Sequence, residues 1–187
     1  LGASMLNHVA LKMAWLPVLV FVVYPYTKRF TYLCHLWLGL CLGLAPAAAW
    51  LAIAGDVHGW EAITGVSSPL AGLLWYPTIL LISIGVSLWI TAFDINYALM
   101  DINSDKENGI HSFPVRFGEQ ITTRMTLLLT LIWMLCFILA NPTENSYFIY
   151  GVVFVASMNV YVALKRTQLK DFQTTLFRAS MLTGWIL

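Results

Sequence analysis

Long apolar stretches with few charges recur along this chain from residue 11 to its end. About 20 apolar residues in a helix are enough to cross the hydrocarbon core of a membrane. Hydrophobic residues make up 59% of the chain and charged residues 10%, more apolar surface than a soluble domain of this size can bury. The sequence therefore predicts an all-α fold, a polytopic bundle of transmembrane helices, and it gives no indication of nucleic-acid binding.

The hydropathy pattern predicts about six spans. They cover roughly residues 11–26, 35–54, 71–92, 121–140 and 147–164, and a sixth begins near residue 174. A polar loop at 55–69 and a short turn at 141–146 connect spans on one side. The third span is expected to continue as one helix through Asp105.

The basic residues are distributed unevenly between the predicted loops. If the spans alternate in direction, nine of the ten Lys and Arg residues lie on one side of the membrane, and only Lys12 lies on the other. Loops rich in Lys and Arg face the cytoplasm. We therefore expect a multi-pass integral membrane protein with the end of its third span on the cytoplasmic side.

Three aspartates lie where the third span leaves the membrane. On one continuous helix, Asp94, Tyr97, Asp101 and Asp105 would fall within a sector of roughly 80°. A carboxylate near lipid costs about 2.5–3.5 kcal/mol, so these acids need water, a cation or another partner. Asp101 and Asp105, four residues apart, suit Mg²⁺, which takes oxygen ligands and completes its shell with water and substrate phosphates. The alternative is a solvated helix end, which suits Asp105 better than Asp94.

A second cluster lies at the cytoplasmic end of the first span. Tyr24 and Lys28 are four residues apart, so the ammonium group could hold a phosphate and the phenol could donate a hydrogen bond to it. Arg116 could add positive charge to the same site. The alternative is a Tyr of the interfacial aromatic belt with basic residues that set the topology. His35 is interpreted as structural, and the three cysteines lack metal-site spacing.

Two segments carry a resemblance to a known family. Residues 94–118, DINYALMDINSDKENGIHSFPVRFG, closely resemble the second aspartate-rich motif of the UbiA superfamily of intramembrane prenyltransferases. Residues 24–29, YPYTKR, resemble that family's YxxxK motif. The sequences of these segments are most similar to the 4-hydroxybenzoate polyprenyltransferase branch, which includes related enzymes of menaquinone synthesis. The resemblance extends over essentially the whole chain.

The resemblance implies a bundle of about nine helices in a bacterial inner membrane. In this family Mg²⁺ holds a polyprenyl diphosphate, whose ionisation gives an allylic cation that an electron-rich aromatic acid attacks. Such an enzyme works in ubiquinone or menaquinone biosynthesis. Carried over by position, the metal ligands are Asp101 and Asp105, Lys28 contacts the diphosphate, Tyr24 and Tyr97 are supporting donors, and Asp94 faces the reacting pocket. Asp94 and Tyr97 are thus the expected catalytic residues, and Arg116 joins Tyr24 and Lys28 as an expected diphosphate contact because of its charge.

One departure from the family pattern matters. The family's first motif, an Asn-Asp-x-x-Asp-x-x-x-Asp pattern, has no match in this sequence. Residues 1–187 are therefore expected to form a single transmembrane prenyltransferase domain that is truncated at its N-terminus and at its C-terminus; the alternative is a degenerate member of the family. Such a chain would lack half of the metal site and be inactive alone.

Two other functions fit parts of the sequence. A cation or proton transporter could use Asp94 and Asp101 along a pathway, because acids within membrane spans often mark ion routes. A CDP-alcohol phosphotransferase also carries a DxxxD motif, but its upstream Asp-Gly and Ala-Arg elements are missing here. The transporter predicts ion flux without diphosphate and no need for Lys28.

Overall fold

The computed structural model describes residues 2–64, 69–70 and 72–187, and this part of the chain is almost wholly helical. Part of the predicted 55–69 loop and the first residue of the predicted third span lie outside the described residues. The helices are α1 (His8–Met13), α2 (Trp15–Phe30), α3 (Cys34–His58), α4 (Glu61–Thr64), α5 (Leu80–Tyr97), α6 (Ile102–Glu107), α7 (Phe113–Ala140), α8 (Ser146–Leu164) and α9 (Phe172–Ile186).

Within the described residues, five helical segments are long and apolar enough to cross a membrane. They are His8–Phe30, Cys34–His58, Trp75–Tyr97, Phe113–Ala140 and Ser146–Leu164. The sixth predicted span corresponds to α9, which has 15 residues. The predicted polytopic helical bundle is confirmed, with a span count close to the prediction.

Short polar side chains fix several helix ends. Asn7 caps α1 by accepting the backbone N–H of Ala10 at 2.8 Å, and its amide also donates to the carbonyl of Leu51 on α3 at 2.9 Å. Asp171 caps α9 in the same way, and the hydrogen bonds donated by Thr174 hold the pKa of that carboxyl below its usual range. These caps satisfy backbone donors that a helix leaves unpaired at its start.

Helix α5 is the centre of the bundle, because it packs along both α3 and α7. On the other side of α7, buried Trp133 and Phe137 pack against Val152 and Val155 of α8. Helix α9 then packs on α8 and reaches the end of α5, where its Leu176 joins a cluster that includes Tyr97. The chain thus brings the ends of α2, α3, α5 and α9 to the same region.

Helices α3 and α5 approach each other closely because two glycines lie in their interface. Gly39 and Gly43, one turn apart on α3, face Ser83, Ser87 and Thr91 of α5. A methyl group at Gly43 would lie 2.7 Å from the carbonyl oxygen of Ser83. Small residues at this spacing are typical of tightly packed membrane helices. The contact fixes the position of one helix relative to the other.

The prediction of one continuous helix through Asp105 is wrong. Helix α5 ends at Tyr97, and the backbone then closes a tight turn, in which Met100 N–H donates to Tyr97 O at 3.0 Å and Asp101 N–H to Ala98 O at 3.2 Å. Helix α6 begins afresh at Ile102. On a straight helix Asp105 would lie about 16 Å beyond Asp94 along the axis. The turn folds the chain back towards α2 and α3 instead.

Candidate functional site

A cavity of about 100 Å³ lies at the end of the bundle where α2, α3, α5 and α6 meet. Its lining is mainly polar or charged. Five of the residues that the sequence singled out line it together: Lys28, Asp94, Tyr97, Asp101 and Asp105. Its other lining residues are Cys34, His35, Ala98, Ile110 and Ser112.

The segment after α6 closes one wall of this cavity. Gly109 takes a positive φ of 64°, which lets the chain reverse. The backbone N–H of Ile110 then donates to Asp105 O at 2.8 Å, and that of His111 donates to Lys28 O at 3.0 Å. The reversal therefore ties the acidic helix α6 to the end of α2, where the amine of Lys28 lies.

Lys28 and Tyr24 lie one turn apart on α2, as predicted. The helix continues through Pro25 to Phe30, so both side chains have a regular helical backbone. The Lys28 ammonium lies 5.5 Å from the centre of the Tyr24 ring. Lys28 lines the cavity, whereas Tyr24 stands behind it and does not. Tyr24 therefore supports the lysine rather than forming the wall.

Asp94 makes a buried side-chain hydrogen bond that the sequence did not reveal. Its Oδ2 lies 2.6 Å from Nδ1 of His35, whose side chain is 4% exposed against 16% for Asp94. The other ring nitrogen, Nε2, accepts the backbone N–H of Phe113 at 3.2 Å. A carboxylate within an apolar helix thus has the partner that its burial requires.

Tyr97 connects the cavity to α9. Its hydroxyl oxygen accepts a hydrogen bond from Nε2 of Gln173 at 3.3 Å, and its ring packs edge-on against Phe177 with centroids 5.6 Å apart. Phe93 lies one turn before it and packs on the same Phe177 ring at 5.4 Å. Helix α9 therefore holds the ring of Tyr97 in place at the cavity edge.

Arg116 is placed away from the other predicted site residues. Its guanidinium stacks on the ring of Tyr32 at 4.5 Å and lies 5.5 Å from that of Phe117, and it does not line the cavity. Stacking of this kind is a common use of arginine at membrane surfaces and protein edges. In this arrangement Arg116 fixes the start of α7 against the α2–α3 connection.

The carboxylates of Asp101 and Asp105 suit a hard divalent cation. Asp101 immediately precedes α6 but makes no capping hydrogen bond with its side chain, so its oxygens are free for another partner. Over the described residues, no three His, Cys, Asp or Glu side chains are grouped to hold a metal ion by themselves. Two carboxylates fit Mg²⁺, which usually takes one or two from the protein and the rest from water and phosphate.

Sequence reasoning missed two polar residues of the cavity wall, His35 and Ser112. His35 was interpreted as structural, and its partners are 59 and 78 residues away along the chain, so no local pattern could identify them. Ser112 is 2% exposed, and its Oγ makes no hydrogen bond with the described residues. A buried hydroxyl without a partner is uncommon and marks a place where a ligand or water can bind.

The comparisons with known proteins agree on one family. The family model of the UbiA prenyltransferases matches residues 1–182. The 4-hydroxybenzoate octaprenyltransferase of Marinobacter nauticus is 30% identical over 156 residues, which are 83% of this chain and 47% of that protein. The one from Xylella fastidiosa is 30% identical over 167 residues, 88% of this chain and 49% of that protein. The chain thus spans about half the length of the curated relatives that it matches.

A solved structure shares the fold. The apo structure of a UbiA homolog from Aeropyrum pernix K1 aligns with a TM-score of 0.79 and 24% sequence identity, over 98% of this chain and 65% of that one. The similarity includes the helices that build the cavity, because it extends over nearly the whole of residues 1–187. Together with the five apolar helices, it identifies an integral membrane protein of this fold.

Proposed function

Because the chain belongs to the UbiA prenyltransferase family, we propose that the complete protein transfers a polyprenyl group from polyprenyl diphosphate to 4-hydroxybenzoate or a related aromatic acid. The observation that carries the proposal is one cavity that gathers Lys28 from α2, Asp94 from α5, and Asp101 and Asp105 around α6. A pair of acids suited to a cation beside the Lys28 ammonium group suits a bound diphosphate. The names of the curated relatives support the aromatic acid as acceptor.

Asp101 and Asp105 are the residues that would hold Mg²⁺. When bound, the ion acts as a Lewis acid that stabilises the negative charge developing on the leaving diphosphate. Lys28 contributes a positive charge to the same phosphate oxygens, with Tyr24 behind it. The hydroxyl of Ser112 can donate a further hydrogen bond, since it has none with the described residues. Arg116 was predicted to contact the diphosphate, and in its stacked position it would have to leave Tyr32 to do so.

Asp94 and Tyr97 act at the reacting end of the substrate. As the bond between the prenyl carbon and the diphosphate oxygen breaks, electrons of the aromatic ring form the new carbon–carbon bond. The ring then loses the proton from the attacked carbon, and the electrons of that bond restore aromaticity. Asp94, whose carboxylate lies at the cavity wall, accepts this proton as a general base. Tyr97 borders the same space and limits how the acceptor ring can lie.

The positive-inside pattern supports a cytoplasmic location for the cavity. The helix ends around the cavity carry Lys28, Arg29, Lys106, Lys165 and Arg166, whereas the turn between α7 and α8 contains no basic residue. A cytoplasmic opening gives a water-soluble aromatic acid access to the site, while the prenyl chain stays in the lipid. We propose a bacterial inner membrane as the location and quinone biosynthesis, of ubiquinone or menaquinone, as the process.

The test of this function uses membranes that contain the complete protein. Labelled polyprenyl diphosphate and 4-hydroxybenzoate are expected to give a prenylated acid only when Mg²⁺ is present, and chelation with EDTA should abolish the product. An unchanged amount of product in the presence of EDTA would contradict the proposed role of Mg²⁺. Ion flux through liposomes without any diphosphate, together with no prenylated product, would support the transporter instead.

Replacement of Lys28 by Gln is expected to raise KM for the prenyl diphosphate about 10-fold or more, because hydrogen bonds to charged groups contribute about 1.5–3 kcal/mol. The KM for the aromatic acid should change little. Arg29→Gln is the matched control, since Arg29 is the next residue of the same helix, carries the same charge and does not line the cavity. Equal effects of the two substitutions would show that only the general charge of this surface matters.

A further inference from the structure

His35 joins three helices at the wall of the cavity. It lies in the first turn of α3 with 3% exposure, contacts Asp94 on α5, and accepts the N–H of Phe113 at the start of α7. A ring nitrogen that accepts a hydrogen bond carries no proton. The accepting Nε2 therefore places the proton of the neutral ring on Nδ1, which donates to Oδ2 of Asp94.

We propose that His35 is a positioning residue: its neutral ring fixes the carboxylate of Asp94 by donating from Nδ1, and it does not take up the proton that the reaction releases. This role rests on the proposed function, in which Asp94 accepts the proton that the aromatic ring loses. The hydrogen bond from Nδ1 occupies Oδ2 and restricts rotation of the carboxylate. Oδ1 has no hydrogen-bond partner among the described residues, so it is the oxygen left for the substrate.

The hydrogen bond from the backbone N–H of Phe113 favours a neutral ring. A second proton, on Nε2, would point at the N–H of Phe113 and set two donors against each other. It would also leave that backbone N–H without an acceptor, which is unfavourable for a buried group. A ring held in this way is suited to orienting Asp94 but not to taking up a proton during the reaction.

Any side chain of similar reach that offers one hydrogen-bond donor and one acceptor can replace a neutral positioning imidazole. Glutamine meets this condition, because its amide N–H can donate to Asp94 while its carbonyl accepts from Phe113. Asparagine is shorter, and its amide reaches only the position of Nδ1. Leucine has a comparable volume but makes neither bond.

The experiment compares His35→Gln, His35→Asn and His35→Leu in the complete protein. We expect His35→Leu to lower kcat about a hundredfold, the loss that misplacing a catalytic group by about 1 Å causes. The KM for prenyl diphosphate should stay within about twofold, since the carboxylates of α6 are untouched. His35→Gln should recover most of kcat. His35→Asn should keep most of kcat but lower the unfolding temperature in detergent, because Phe113 loses its acceptor.

A double-mutant cycle separates positioning from a purely structural role. If His35 acts through Asp94, then Asp94→Asn combined with His35→Leu should lower kcat no further than Asp94→Asn alone. If the losses of kcat in the two single variants multiply in the double variant, the proposal is overturned. It is also overturned if His35→Gln is as slow as His35→Leu, because the imidazole itself would then carry the proton. Should His35→Leu fail to fold, the kcat values of His35→Gln and His35→Asn are compared with that of the wild type. Values near wild type support the positioning role, and a large loss in both variants overturns it.

The outcomes also separate this proposal from the proposed function. A wild-type protein that transfers no prenyl group overturns the proposed function, and the role of His35 with it. An active wild type together with an equally active His35→Leu variant overturns the positioning role alone. A lower unfolding temperature of the His35→Leu variant with an unchanged kcat would show that the residue only links α3, α5 and α7.

Discussion

Replacement of Asp101 by Asn in the complete protein is expected to lower kcat for prenyl transfer about 10²–10³-fold, because a lost metal contact removes several kcal/mol of charge stabilisation at the leaving group. The substitution keeps the size of the side chain and the start of α6, where Asp101 makes no capping hydrogen bond. The KM for the aromatic acid should change little. Product formation from labelled prenyl diphosphate at saturating substrates is the measurement.

Asp105→Asn is expected to act in the same way, and the double variant should make no detectable product. Glu107→Gln is the matched control, because Glu107 lies in the same short helix, is exposed and does not line the cavity. A second readout needs no turnover: Mg²⁺ with prenyl diphosphate should raise the unfolding temperature of the wild type but not of the double variant. Equal amounts of product from Asp101→Asn and Glu107→Gln would show that Asp101 is not a metal ligand.

The helices and their order could be predicted from the sequence because the bilayer imposes a simple length rule. Spans such as 147–164 stand out by hydropathy alone, and the observed α8 runs from Ser146 to Leu164. The helical spacing of Tyr24 and Lys28 is likewise a local property, and α2 retains it. In such cases neighbours along the chain determine the structure, so periodicity and composition are sufficient.

The break after Tyr97 could not be predicted, because it depends on contacts distant in the sequence. Residues 98–105 contain no Gly or Pro that would end a helix. What the fold stabilises instead is the return of the chain to α2, where the His111 N–H meets the Lys28 carbonyl. The sequence therefore placed the acids on one helical face, whereas a turn gathers them around one cavity.

His35 shows the same limit for the site. A buried His has to find hydrogen-bond partners, which makes it a candidate for a polar contact in any apolar helix. Which partners it finds depends on how α3 lies against α5 and α7, and single-sequence patterns do not contain that information. The family resemblance singled out Asp94, Lys28 and the two proposed metal ligands by position, but it assigned nothing to His35.

The packing of α3 against α5 determines the distance between His35 and Asp94. His35, Gly39 and Gly43 follow one another at four-residue intervals along one face of α3, and Thr91 of α5 lies one turn before Asp94. Gly39 is in contact with Thr91 and Ser87, so the close approach of the helices continues to the hydrogen bond between His35 and Asp94. Any residue that separates the two helices at the glycines should therefore also pull His35 away from Asp94.

Replacement of Gly43 by Leu is accordingly expected to prevent stable folding or to reduce the yield of folded protein severely. Overpacking costs about 1–3 kcal/mol even where side chains can move, and here the obstacle is the backbone carbonyl of Ser83, 2.7 Å from the position of a first methyl group. Such a loss is a large fraction of a typical unfolding free energy of about 5–15 kcal/mol. The measurement is the unfolding temperature and recovery of the complete protein in detergent.

The matched comparison is Gly43→Ala with Gly151→Ala. Both add one methyl group inside a helix and gain the same intrinsic preference of Ala over Gly, about 1 kcal/mol. At Gly151 the new methyl meets only Cγ2 of Ile186, at 2.8 Å, and the end of that side chain can move. We therefore expect Gly43→Ala to lower the unfolding temperature and kcat together, whereas Gly151→Ala leaves both near wild type. A Gly43→Ala protein as stable and active as Gly151→Ala would mean that α3 and α5 can separate without disturbing His35 and Asp94.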